Sequence, residues 1–336
     1  MVPKRWRQFQ PFHRDEIRAS GARGMATAYP PERRGLRFAR RIAVKAGTPV
    51  LTHMDGNIAL GRIGILVEQI AALRHEGREV LLVTSGAIGA GSSRMLKNQT
   101  LASNMHETMH QSVEPPNQNA AAAVGQSLIM SMYETFFSKY NLGCAQVLVT
   151  EQDIADPEII AQVGDTTNEL LQLGFVPIIN ENDAVTSRVE PVFSPDTREV
   201  QWDNDTLAAR LAAEVKADLL VVLTDIDGLY TKHADDALKV AQRLPVFSPG
   251  AILVRQGIEF QASTASLGDD RRGDFEGRTR MSEQGLQSLV SSAIEATRLG
   301  VRAVVVTSGH HPRALFKAVR GEDIGTLFLP PPEGKL

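Results

Sequence analysis

Two runs in this chain, LLVVLT at 219–224 and AVVVT at 303–307, are apolar at every position up to a closing threonine. A strand with one face in water alternates apolar and polar residues, so an unbroken apolar run calls for burial on both faces. A parallel sheet with helices on each side meets that condition. Candidate strands fall at 41–45, 79–84, 144–150, 175–180, 218–224, 302–307 and 325–329.

Helix-period segments separate most of them. Leu60, Ile63, Val67, Ile70 and Leu73 follow at spacings of three and four, with Gly77 as the stop. Asp156 and Pro157 read as N-cap and first helical residue, and Gly174 as the C-terminal stop. Leu207, Leu211 and Val215 mark a further helix, and Val290, Ile294 and Thr297 another. The expected fold is α/β, a three-layer sandwich with a mainly parallel central sheet.

Three stretches depart from this rhythm. Residues 1–41 carry eleven Lys or Arg against three acids, and the chain up to residue 37 reads as a basic, disordered extension, with organelle targeting as the alternative. Residues 97–119 and 256–283 are polar and read as long loops. Within the first of these loops, His106-Glu107-Thr108-Met109-His110 fits HExxH, but a polar insertion is a poor place for a zinc helix. No metal site is expected from it.

A net charge of −3 and a pI near 6.3 exclude a globally basic nucleic-acid binder. No apolar run reaches the roughly 18 residues of a membrane-spanning helix. The single cysteine, Cys144, rules out an internal disulfide and points to a reducing, cytoplasmic compartment.

Polar and glycine-rich groups follow the candidate strands, where α/β sheets bind ligands. Lys45-Ala46-Gly47-Thr48 places an ammonium beside a turn whose N–H groups can face a phosphate, or is a plain surface turn. The stretch Thr84-Ser85-Gly86-Ala87-Ile88-Gly89-Ala90-Gly91 reads as a glycine turn that admits close backbone approach, with the Ser85 hydroxyl free to donate. Its GxxGxG order is not the dinucleotide fingerprint, and GxxxxGK[ST] occurs nowhere. Asn180-Glu181-Asn182-Asp183 can hold a small polar ligand or make a turn. Asp203-Asn204-Asp205-Thr206 precedes a helix that it can cap, and Thr224-Asp225 follows a buried strand.

Taken in order, KxGT, LVTSGAIGAG, AAAVGQ, VPIINENDAV, DND, LTDIDGLY and GTLF closely resemble the amino-acid kinase family over about residues 38–330. The resemblance is to its glutamate 5-kinase branch and to the kinase half of pyrroline-5-carboxylate synthase. It implies the amino-acid kinase fold and transfer of a phosphoryl group from ATP, with Mg2+, to the side-chain carboxylate of L-glutamate. That reaction gives glutamyl 5-phosphate, the first step of proline biosynthesis. It also implies homo-oligomers, while the charge and the apolar runs above give no nucleic acid or membrane as an expected partner. A weakly active or non-catalytic relative that binds glutamate, proline or a partner subunit is the alternative.

By motif, Ser85, Gly86, Ala87, Asp183 and Asn204 resemble the glutamate contacts. Lys45 resembles the phosphate-binding lysine and Asp205 the acid that orients it, the pair being the catalytic residues. Gly47, Thr48, Thr224 and Asp225 complete the nucleotide contacts. Two departures stand out. Pro49 replaces a serine and brings no backbone N–H. A second lysine of the family is missing, with Leu289 at its place if ATRLGV is aligned and Gln284 if Met281 is aligned. Arg278 and Arg280 are the cations close enough in sequence to replace it.

Overall fold

Alternate residues of each central strand part to opposite faces of one sheet, and that sheet organises the protein. In the computed structural model, residues 30–105, 117–186, 203–231, 246–247, 260–262 and 283–330 are described. The strands are β1 (Arg41–Ala46), β2 (Glu79–Thr84), β3 (Cys144–Val149), β4 (Val176–Glu181), β5 (Leu219–Thr224), β6 (Leu229–Thr231), β7 (Val246–Phe247), β8 (Phe260–Ala262), β9 (Ala303–Ser308) and β10 (Thr326–Phe328). Eight of them form one sheet in the order β3-β4-β2-β1-β5-β9-β10-β7, and β6 pairs with β8 apart from it. Every pairing in the large sheet is parallel except β9 with β10.

The helices are α1 (Thr48–Leu51), α2 (Leu60–His75), α3 (Ala87–Met105), α4 (Gln118–Ser138), α5 (Glu151–Ala155), α6 (Pro157–Gln172), α7 (Asn204–Glu214), α8 (Glu283–Arg298) and α9 (Ala314–Arg320). Ile42, Val44, Val80, Leu82, Val221 and Val305 meet Ile63 of α2, Ile129 of α4 and Leu315 of α9 in one core. Their neighbours Ala43, Leu81, Val83, Val222 and Val304 meet Leu171 of α6, Leu207 of α7 and Leu289 of α8 in the other. This is the period of two acting on a doubly covered sheet, and it yields the expected three layers. Both unbroken runs behave accordingly, since all of β5 and the first five residues of β9 are buried.

The expected helix signals also act as read. Asp156 accepts hydrogen bonds from the Glu158 and Ile159 N–H groups, Pro157 opens α6, and Gly174 takes φ +89° just past its end.

The polar stretch 97–119 corrects the sequence reading. Helix α3 runs on to Met105 and α4 begins at Gln118, so part of the expected loop is helical. No Gly or Pro lies between Gly91 and Pro115, and nothing local stops a helix once its first turns are packed. The HExxH residues, and Arg278 and Arg280, lie outside the described residues. Ahead of β1, residues Pro31–Arg33 and Leu36–Phe38 form two 3₁₀ turns against the fold. The buried Arg33 guanidinium donates to the carbonyls of Glu322, Ile324 and Gly325.

Candidate active site

The chain leaves β1 for β2 on one side and later pairs β5 on the other, so the strand order reverses about β1. Open α/β sheets bind ligands at the carboxyl edge beside such a switch point. Along that edge the ends of β4, β2, β1 and β5 present Asn180, Ser85, Lys45 and Thr224 in that order. Successive strands stand about 4.8 Å apart, so these four groups span a molecule-sized row.

Lys45, next to last in β1, is buried, and its ammonium lies 2.7 Å from the Asp205 carboxylate. Asp205 reaches it because Asp203 has taken over the helix cap, accepting from the N–H groups of Asp205 and Thr206. Asn204 and Asp205 are thereby released from capping and face the sheet edge. Burial pushes the Asp205 carboxyl above its ordinary value, Lys45 opposes this, and the neighbouring Asp203 adds to it.

Asn204 donates to Ser85 Oγ at 3.0 Å and to Asn180 Oδ1 at 3.4 Å, while Asn180 donates to Gln126 Oε1 at 2.8 Å. This chain of side chains starts beside Lys45 and ends in α4. Both its ends are open, for the buried Asn204 Oδ1 and Gln126 Nε2 have no hydrogen-bond partner among the described residues. An orphan acceptor and an orphan donor on one network suit a ligand that carries both an ammonium and a carboxylate.

Gln126 also lines a cavity of about 480 Å³ with Ala87, Ser127, Glu181 and Asp183. The turn carrying Asp183 is held from α4, where Asn119 donates to the carbonyls of Ala184 and Thr186. Ser85 and Asn204 are thus joined directly, whereas Asp183 and Ala87 line the adjoining cavity. Asn180 and Gln126 were not singled out individually in the sequence, although both lie in motifs quoted there. An apolar strand ending in Asn and a Gly-Gln pair in a helix were the available signals.

On the β5 side, Gly47 N–H donates to the Leu223 carbonyl at 2.9 Å and the Thr224 carbonyl accepts from Gly309 N–H at 2.8 Å. Thr224 Oγ1 donates to Asp225 at 3.2 Å, and both residues are buried. Thr48 opens α1, and Pro49 holds its second position. An N–H there has no partner inside the helix, so proline leaves the turn intact.

The glycine-rich stretch needs a second correction. Only Gly86, at φ +91°, lies in the turn, while Gly89 and Gly91 are inside α3. A methyl group on Gly91 would lie 1.8 Å from the Ala121 carbonyl oxygen, and one on Gly125 equally close to that of Ala87. Gly91 therefore serves the crossing of α3 with α4, not a ligand. Leu289 is 1% exposed within the core, whereas Gln284 is exposed at the start of α8. Of the two aligned positions, only Gln284 leaves a cation in water, since Leu289 lies in the core.

Residues 40–308 match the amino acid kinase family. A delta-1-pyrroline-5-carboxylate synthase of Solanum lycopersicum is 40% identical over 290 residues, 86% of this chain and 37% of that protein. The chain thus spans less than two fifths of the synthase's length. A glutamate 5-kinase of Symbiobacterium thermophilum is 39% identical over 297 residues, 88% of this chain and 98% of that protein. The solved carbamate kinase of Giardia lamblia, bound to AMP-PNP, shares the fold with a TM-score of 0.56 at 15% identity. That match covers 88% of this chain and 99% of the other.

Proposed function

Because the chain belongs to the amino acid kinase family, we propose that it transfers the γ-phosphoryl group of ATP to the side-chain carboxylate of L-glutamate. The product is glutamyl 5-phosphate, the first intermediate of proline biosynthesis. The glutamate 5-kinase likeness, at 39% identity over nearly the whole of that relative, supports this choice of substrate.

The observation that carries the reading is the row along the sheet edge, with Lys45 between the Asn180–Ser85–Asn204 network and the Thr224–Asp225 pair. Glutamate occupies the network side, its ammonium at Asn204 Oδ1 and a carboxylate at Gln126 Nε2, with Gly86, Ala87 and Asp183 around it. ATP occupies the other side, against Gly47, Thr48, Thr224 and Asp225. The transferring phosphoryl then lies at Lys45, whose charge acts on it most strongly in the transition state. Asp205 fixes the direction of that ammonium. No covalent intermediate on the protein is needed, since positioning and charge stabilisation supply most of the rate in phosphoryl transfer.

Mg2+ would arrive on the ATP phosphates with one or two carboxylates, as it commonly does, and Asp225 stands on that side. Bound there it would neutralise phosphate charge. Among the described residues no cluster of three or more His, Cys, Asp or Glu is poised to hold a metal.

The test is an assay with ATP, Mg2+, glutamate and hydroxylamine, which captures an acyl phosphate as the hydroxamate. Hydroxamate formation that requires both ATP and glutamate supports the reading. Tight binding of both without hydroxamate would favour a relative that binds and does not turn over.

A further inference from the structure

The turn α1 follows Lys45 and Gly47 directly, and its exit is gripped by two side chains, one from the next helix and one from a distant part of the chain. Arg62, in the first turn of α2, donates from Nε to the Val50 carbonyl at 2.7 Å. Its Nη2 donates to the Thr52 carbonyl at 2.9 Å and reaches the Pro49 carbonyl at 3.5 Å. On the other side His310 Nε2 lies 3.1 Å from the same Pro49 carbonyl, which can only accept, so the imidazole is the donor. The loop after β9 is pressed onto this turn, for a methyl group on Gly309 would lie 2.6 Å from Val50 Cγ2. Gly309 is itself bonded to the Thr224 carbonyl.

One bridge therefore joins the two flanks of the nucleotide side, Gly47–Thr48 and Thr224–Asp225. We infer that Arg62 and His310 are positioning residues, which clamp α1 so that the Gly47–Thr48 backbone faces the phosphates of a nucleoside triphosphate. The inference rests on the proposed kinase reading. Neither residue touches the reacting atoms. A four-residue helix has too few internal hydrogen bonds to hold its own orientation, so its carbonyls need fixed partners outside it. The guanidinium supplies several donors in a rigid fork, which a lysine cannot copy in full.

The test titrates AMP-PNP with Mg2+ by calorimetry and measures hydroxamate kinetics for the wild type, Arg62→Met, Arg62→Lys, His310→Phe and His310→Gln. Misplacing the turn should weaken AMP-PNP and raise the KM for ATP about tenfold or more in Arg62→Met and His310→Phe. The KM for glutamate should stay within about twofold, because the Ser85–Asn204 network is untouched. Arg62→Lys and His310→Gln, which keep a donor, should recover part of the loss. If Arg62→Met does not fold, His310→Phe carries the same comparison from an exposed ring. Unchanged AMP-PNP binding in both variants, with a wild type that binds it, overturns the clamp alone. Equal losses for both substrates with a lowered Tm also overturn it, as a merely structural contact. A wild type that binds no AMP-PNP overturns the clamp and the kinase reading together.

Discussion

Asp205 has two neighbours of opposite effect, the Lys45 ammonium at 2.7 Å and the Asp203 carboxylate at the helix cap. Its carboxyl titrates above the ordinary aspartate value of 3.8 because burial outweighs the lysine. Only the ionised form orients Lys45. As pH falls through the raised value the carboxylate takes up a proton, the ion pair is lost, and turnover should fall. The acid limb of kcat/KM, which reports the free enzyme, is thus expected above pH 3.8. Asp203→Asn removes the like charge and keeps a good cap, so it should move that limb to lower pH. A limb that Asp203→Asn leaves in place would detach the activity from Asp205. For the acceptor side, Asp183→Ala and Asn204→Ala should each weaken glutamate by about 1–3 kcal/mol in calorimetry, with AMP-PNP nearly unchanged. Equal losses for both ligands would remove these residues from the glutamate site.

At the scale of elements, α3 and α4 touch through Gly91 and Gly125, and α7 and α8 through Asp203–Ser288 and Thr206–Ser292 hydrogen bonds. Gly91→Ala forces a methyl into the Ala121 carbonyl and should cost about 3 kcal/mol in urea denaturation. Gly89→Ala meets nothing within 4 Å and should be neutral or stabilising by up to about 1 kcal/mol. Similar costs for the two would refute the packing role of Gly91. The sequence could not separate these glycines, because what distinguishes them is Gly125 on another helix, 34 residues away.

Helix α8 gives the two positions aligned with the family's second lysine opposite environments, Leu289 buried and Gln284 exposed. Leu289→Lys would bury an ammonium in the core and should destabilise by about 4 kcal/mol or more, instead of raising activity as its alignment suggests. Gln284→Lys, one turn before Ser288 and exposed, should raise kcat about tenfold or more. An unaltered kcat would mean that no second cation is needed there.

Across the whole molecule, the strands that carry the site were plain in the sequence because burial on both faces leaves unbroken apolar runs. Their observed ends differ from the expected ones by about a residue, as at Ala46 and Glu181. The short β6, β7 and β8 have two or three residues each and too little pattern to be seen. Lys45, Ser85, Asn204 and Asp205 were each named from their motifs, and Gly47 and Thr224 beside them. Their order across the sheet was not, because strand order is set by packing of distant segments and leaves no local trace. On that order rests the proposed phosphoryl transfer from the Thr224 side past Lys45 to a carboxylate at the Asn180–Ser85 side. The most direct measurement uses glutamate labelled with 18O in its side-chain carboxylate, with ATP, Mg2+ and hydroxylamine. Hydroxylamine cleaves the acyl C–O bond, so the oxygen that bridged carbon and phosphorus leaves with the phosphate. Phosphate released in a glutamate-dependent way should carry one 18O, seen as an isotope shift in its 31P spectrum. Unlabelled phosphate, or none, would contradict that transfer.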